Sequence, residues 1–466
     1  MNLTELLDTT AARWPKKVAL IEESTVVSYA ELAQRTLALA AKLQSLGITR
    51  GGRIGLAFPN GVGYVALTFA LWRVNAVVVP IPMECTEAEI AELAAAMQLE
   101  GTLRQKPRGV CMAVAGDCFL TQLAPPSPPD NHGLNLAFIR FTSGTTSARK
   151  GVALGHETIR DRVLSANQAF RIGSDDTVIW CLPMAHHFLI TIVLYLGAGA
   201  TIVLARHVLA RPFLEAINHW RGTVLYAAPF HFAMLARDNS GATVPSVRLA
   251  VSTTCALPAE VAEEFYQHYK IPLVQGLGVI EFGLVSLNTD DPRGRWNSVG
   301  RPAGGFRIQI NDPDADGCGE VAVTGPGIFD AYVAPWIPRE ALLCGGWFPT
   351  GDIGRLDAEG FLFLLARKTA VINLAGRKVF PEEIEAVINR HPAVRESRVY
   401  GKPHAHLGEV VEVEIVLASP DANLDSVRAF CRDHLASYKI PTRFTVVSAL
   451  PRTAVTGKIR RAAVVA

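Results

Sequence analysis

At 466 residues, 49% of them hydrophobic, the chain has material for several buried cores, so disorder is excluded and a globular multidomain protein is expected. The net charge is +2, with Lys and Arg interspersed among Asp and Glu, which leaves no field to recruit nucleic acid or an anionic membrane. The eight cysteines form no CxxC pair and meet no His cluster at zinc spacing, so they are expected to be reduced, mostly buried thiols.

The opening segment MNLTELLDTTAARW carries Glu5 and Asp8 and lacks an apolar core, so no secretory signal is expected and the cytoplasm is the default location. Strand-like runs (RIGLAF, AVVVPIP, ATIVLA, TVLYAAP, VRLAVST) then alternate with helical patterns such as YAELAQRTLALAAKLQSLG and PAEVAEEFYQHYK. This alternation predicts a helix-covered, largely parallel α/β architecture. A Pro-rich connector at 124–133 leads into the strand LNLAFIRF and then into FTSGTTSARKGV, Phe141 to Val152.

That loop is not a Walker A motif, because Lys150 precedes Gly151 instead of following a glycine. Gly144 can turn backbone N–H groups inward while Ser143, Thr145, Thr146 and Ser147 add hydroxyls and Lys150 a charge, a composition suited to polyphosphate. A solvated Ser/Thr/Gly turn explains the same residues, and the segment alone leaves both readings open.

Phe188 to Ala205 is 18 uncharged residues, but the GAGA at 197–200 divides it into a buried helix and a strand, which argues against a membrane span. From about 297 the pattern turns to short strands, including two around an Asp-Ala-Glu-Gly turn in GDIGRLDAEGFLFLLAR, and predicts a β-rich subdomain. Past Arg367, a helix opening at Pro381, the strand VVEVEIVLA and the helix LDSVRAFCRDHLASY predict a small α+β domain. The expected division is 1–368 and 369–466, with a linker near Thr369.

Taken in order, FTSGTTSARKGV, LPMAHHF, QGLGVIEFG, NSVGRP, GWFPTGDIGRLDAEGFLFLLAR, GRKVFPEEIE and RTAVTGKIRR resemble the successive core motifs of the adenylate-forming superfamily of acyl- and aryl-CoA synthetases, peptide-synthetase adenylation domains and firefly luciferase. The resemblance spans nearly the whole chain. It implies a large N-terminal α/β domain of helix-covered sheets with a β-rich subdomain, and a small mobile C-terminal lid. It also implies joining of a carboxylic acid to ATP, release of pyrophosphate, and transfer of the acyl group to a thiol.

By the same resemblance, Thr142 to Thr146 and Lys150 cradle the β and γ phosphates, and Glu281 is the acid associated with Mg2+. Asp352 accepts from the ribose hydroxyls and Arg367 meets the ribose and phosphate region. Lys458 bridges the acyl carboxylate and the α-phosphate, where a compact mobile charge serves better than a planar guanidinium. Thr369 is the hinge. His186, His187, Ala228, Gly276 and Gly278 fall at the acyl pocket, with Ala227 and His231 nearby. No Asp stands where amino-acid activators hold an ammonium, so aryl or aliphatic acids are expected. GRKVFPEEIE is closer in style to CoA synthetases, which favours CoA as acceptor over the phosphopantetheine arm of a carrier protein.

Several positions depart from the family. Ser147 and Arg149 replace a glycine and a proline in the loop; Leu277 replaces the aromatic that stacks on adenine, and Ile280 a threonine; STTCAL, 252–257, stands where a glycine pair is common. Weakened ATP binding is the expectation. A binding-only descendant without turnover is the second class of function that these changes permit; luciferase-type oxygen chemistry has no residue to specify it.

Overall fold

The computed structural model describes residues 1–106, 111–123, 129–141, 150–205, 209–374, 377–404, 408–420, 422–452 and 459, without the side chains of 369, 377, 378 and 408. The described residues fall into two compact units. The first takes its residues from 1–141, 150–307 and 324–346, the second from 308–323 and 347–459.

Two nine-stranded sheets build the first unit. One runs Arg301–Pro302, Gly283–Leu287, Leu273–Val279, Leu249–Ser252, Val224–Ala227, Thr177–Trp180, Thr201–Leu204, Val18–Glu22 and Thr25–Ser28. Its centre, from Leu273–Val279 to Val18–Glu22, is parallel, and antiparallel strands close both margins. The other runs Ile337–Pro338, Ala331–Val333, Gly151–Gly155, Leu136–Phe141, Val77–Pro80, Arg53–Ala57, Gly101–Arg104, Cys118–Gln122 and Met112–Ala115. Its parallel centre is likewise flanked by antiparallel pairs.

The central strands are buried along their whole length, as VVVP at 77–80 and VLYA at 224–227 are, because helices cover both faces and β-branched side chains pack on either side. The Tyr29–Ser45 helix starts at a capping box in which Ser28 and Glu31 satisfy each other's backbone N–H, and Thr86 with Glu89 repeats the device at Glu87–Met97. The apolar run at 188–205 divides as expected. A π-helical turn, Phe188–Ile192, leads into the Val193–Gly197 helix, and Gly199 (φ +80°) makes the bend into the Thr201–Leu204 strand. Among the described residues no helix is long and apolar enough to cross a membrane.

The second unit holds a four-stranded sheet, Arg307–Asn311, Gly319–Thr324, Phe348–Leu356 and Leu362–Arg367. The expected turn at 357–360 is present: Asp357 Oδ1 accepts from the amides of Glu359 and Phe361, and Gly360 supplies φ +82°. A five-stranded sheet follows, Arg377–Val379, Ile372–Leu374, Gly408–Leu417 and Val394–His404, with Arg443–Val446 added parallel to Gly408–Leu417. Ile384, Ile388, Val427 and Cys431, from the Pro381–Ile388 and Leu424–His434 helices, pack with Val399, Val413 and Ile415 to make its core. The expected boundary at 368/369 falls within this unit.

Candidate active site

The strands Leu136–Phe141 and Gly151–Gly155 pair antiparallel, Phe141 opposite Gly151 and Arg140 opposite Val152. Val152 in turn faces Tyr332 on the neighbouring strand, so Arg140, Val152 and Tyr332 form one cross-strand row. Thr142, Ser143, Gly144, Thr145 and Thr146, with Ser147 and Arg149, lie outside the described residues. Lys150 at the loop's far end is exposed, its Nζ 5.4 Å from the centroid of the Tyr332 ring.

Tyr332 Oη donates to Glu281 Oε1 at 2.8 Å. Burial pushes this phenol well above its ordinary range, and the Glu281 charge pushes it the same way, so it stays protonated and donating. The backbone under Glu281 is fixed by Arg162, which projects from the His156–Phe170 helix. Its Nε donates to Gly327 O at 2.6 Å, its Nη1 to Ile280 O at 2.8 Å, and its Nη2 to Glu281 O. Gly327 (φ +68°) is required here, since a Cβ would stand 2.5 Å from Arg162 Cγ. Burial lowers the Arg162 pKa to about 9, against the pull of Glu281 and Asp330. Phe329 N also donates to Glu281 O, at 2.8 Å.

An aromatic wall is built on the strands Thr177–Trp180 and Val224–Ala227. Trp180 stacks on Tyr226 with centroids 5.8 Å apart and planes 8° apart, and His187 meets both edge-on, at 6.3 and 6.4 Å. His186 and His187 share the short helix Met184–His187, which is placed by Asn60: its Oδ1 accepts from Met184 N and its Nδ2 donates to Leu182 O. Ala228 opens the Pro229–Ala236 helix, and its amide donates to His231 Nδ1 at 3.3 Å. His231 is therefore turned onto its own helix start, and burial holds it neutral by lowering its pKa.

Gly276 and Gly278 differ in origin. A Cβ at Gly276 would stand 2.3 Å from Ser286 O on the paired strand, so sheet packing dictates that glycine, whereas Gly278 is exposed. Leu277 is buried. Thr254, in the STTCAL stretch, carries φ +78°, a left-handed conformation that a β-branched residue adopts at a cost.

In the second unit Asp352 and Arg367 sit opposite one another on paired strands, Arg367 Nε 2.9 Å from Asp352 Oδ1. Arg367 Nη1 also donates to Thr350 O at 3.0 Å. Thr369 lies in the 3-10 turn Lys368–Ala370. Lys458 lies outside the described residues.

Arg140, Arg162, Tyr226 and Tyr332 were not among the expected site residues. A lone charge in the apolar strand LAFIRF was a visible signal for Arg140, and nothing local marks the other three. Among the described residues no group of three or more His, Cys, Asp or Glu side chains could hold a metal ion. A single carboxylate such as Glu281 fits Mg2+ bound with a nucleotide, which ordinarily takes its other ligands from phosphate oxygens and water.

A family model described as AMP-binding enzyme matches residues 7–333, and one described as AMP-binding enzyme C-terminal domain matches 383–458. The chain is 28% identical over 460 residues to 2-succinylbenzoate–CoA ligase of Listeria monocytogenes serotype 4b, covering 96% of each. It is 27% identical over 493 residues to sulfoacetate–CoA ligase of Cupriavidus necator, covering 99% of this chain and 96% of that one. In structure it is similar to o-succinylbenzoate CoA synthetase from Bacillus subtilis in complex with an acyl-adenylate intermediate, with a TM-score of 0.85, 24% identity, and 98% and 96% of the two chains covered.

Proposed function

This chain belongs to the AMP-binding enzyme family, and from that premise we propose that it is an acid–thiol ligase that activates an aryl or aliphatic carboxylic acid with ATP and passes the acyl group to CoA. In the first step a carboxylate oxygen attacks the α-phosphorus of ATP and the bond to the β-phosphate oxygen breaks, releasing pyrophosphate. In the second a thiolate sulfur attacks the acyl carbon and AMP departs. The observation that carries this reading is Glu281, whose carboxylate accepts from Tyr332 and whose backbone carbonyl accepts from the buried Arg162.

Two anions repel on approach, so cations and N–H donors are needed where charge develops. Thr142, Ser143, Gly144, Thr145, Thr146 and Lys150 are assigned to the β and γ phosphates, and Glu281 to Mg2+, which neutralises phosphate charge when bound. Asp352 and Arg367 are assigned to the ribose and its phosphate, and Lys458 to the junction of acyl carboxylate and α-phosphate. His186, His187, Ala228, Gly276 and Gly278 line the acid's side, to which the structure suggests adding Trp180 and Tyr226. Thr369 is assigned as the hinge between 1–368 and 369–466.

CoA is the preferred acceptor, supported by the two CoA ligases above; a carrier-protein pantetheine presents the same thiol. The test is ATP–pyrophosphate exchange over a panel of aryl, aliphatic and amino acids. Exchange confined to one class of acid without an amino group is the expected result; fastest exchange with amino acids would overturn the substrate class, and none with any acid would overturn the activity.

A further inference from the structure

Two guanidinium groups are buried near or within the sheets of the first unit, and both have their donors answered. Arg162 is bound to three carbonyl oxygens, and Arg53 to Asn131 Oδ1, Met97 O and Asp130 O. Arg140 differs. It is the only charged residue in the strand Leu136–Phe141, and its Nε is enclosed without a hydrogen-bond partner. Among the described residues no carboxylate stands within ion-pairing distance of it. Enclosing a guanidinium N–H without a hydrogen-bond partner costs free energy, and a folded protein retains the arrangement where something binds there.

The neighbours define what that would be. Tyr64 and Tyr226 act on the Arg140 charge from the Val62–Arg73 helix and the Val224–Ala227 strand, and Glu281 acts on it more strongly than either. Tyr64 Oη is enclosed without a partner, as is the Nε1 of Trp180, whose ring lies on Tyr226. All three orphaned groups can donate and one is cationic, a set that fits an anion and no cation. Arg140 also shares its cross-strand row with Tyr332, the residue that holds Glu281, while Tyr226 belongs to the aromatic wall. The orphaned Arg140 N–H therefore shares its surroundings with the acid assigned to Mg2+ and with a residue of the aromatic wall.

We infer that Arg140, assisted by Tyr64, forms an anion subsite that receives a carboxylate of the acyl substrate. The inference rests on the ligase reading and deepens it. Two carboxylates can fill the subsite: the one being activated, or a second acid group elsewhere on the substrate. A planar fork suits either, since both oxygens can be met at once.

The experiment compares ATP–pyrophosphate exchange by wild type, Arg140→Met, Arg140→Lys and Tyr64→Phe, using mono- and dicarboxylic acids of matched chain length. Arg140→Met is expected to raise the half-saturating acid concentration about 10–100-fold while that for ATP moves less than about twofold. Arg140→Lys should recover part of this loss, and Tyr64→Phe should cause a smaller one. A loss confined to dicarboxylic acids identifies a second acid group as the ligand, and an equal loss for both series identifies the reacting carboxylate. An unchanged acid requirement, or a rise for ATP in place of the acid, overturns the inference.

Melting temperatures with acid alone separate this outcome from failure of the ligase reading. If no acid supports exchange, a thermal shift by an acid in wild type that is absent in Arg140→Met upholds the subsite, and the lack of any shift in wild type refutes it. Should Arg140→Met not fold, Tyr64→Phe carries the same comparison.

Discussion

Tyr332 gives Glu281 a neutral, buried donor, and a hydrogen bond to a charged acceptor is worth about 1.5–3 kcal/mol. Removing it in Tyr332→Phe keeps the ring that Lys150 faces but lets the carboxylate turn, so the KM for MgATP should rise about tenfold with the fold intact, measured by pyrophosphate exchange and circular dichroism. Glu281→Gln is a poorer probe, because it strips Arg162 and Arg140 of the charge that offsets their burial and would confound binding with stability. Thr254 poses the opposite case: its φ of +78° strains a β-branched residue, and Thr254→Gly should raise unfolding stability by about 1 kcal/mol in a urea titration. Of these residues, Glu281 was readable from its motif, while Tyr332 was not, since it lies 51 residues along the chain and only strand pairing brings it near. The glycines at 276 and 278 read alike in sequence, yet a Cβ at the first would collide with Ser286 O, while one at the second would make only an ordinary contact with Gly283 O.

Elements were more legible than side chains, because periodicity and caps are local signals. Ser28 with Glu31 announces the Tyr29–Ser45 helix, and Ser28→Ala should cost about 1 kcal/mol in the same titration. Strand order was not legible: which strands neighbour Leu136–Phe141 depends on crossovers that no local pattern encodes. The His156–Phe170 helix carries a pH dependence of its own. His156 at its first position is buried, and its Nδ1 accepts from Leu3 N at 3.1 Å, which fastens the start of the chain. Burial lowers its pKa from 6.5 to about 4, outweighing the opposing charge of Glu157. The unfolded chain therefore binds more protons between those values, so stability is fully present above about pH 6.5 and declines as pH falls towards 4. Melting curves should show up to about 3 kcal/mol lost across that window, and His156→Asn should flatten the slope.

Across the whole molecule, Lys458 belongs to the C-terminal segment of the sequence and the loop assigned to the phosphates to the N-terminal one, so a division of labour is expected. Lys458→Ala should abolish pyrophosphate exchange yet leave thioester formation from supplied acyl adenylate largely intact; single-turnover assays in which both half-reactions fall together would refute it. In the second unit, Ile353, Ala366 and Phe380 form a small cluster with Leu365 and Val371 packed against it. Arg162 has a consequence of a different kind. By binding the backbone at 280, 281 and 327, it joins stretches 118 to 165 residues away in sequence, and the Glu281 site cannot assemble until all of them have. Nucleotide occupancy should accordingly be reported far from the nucleotide: in hydrogen–deuterium exchange, saturating MgATP should slow amides throughout both nine-stranded sheets together, as a global brake on opening and not as a local footprint.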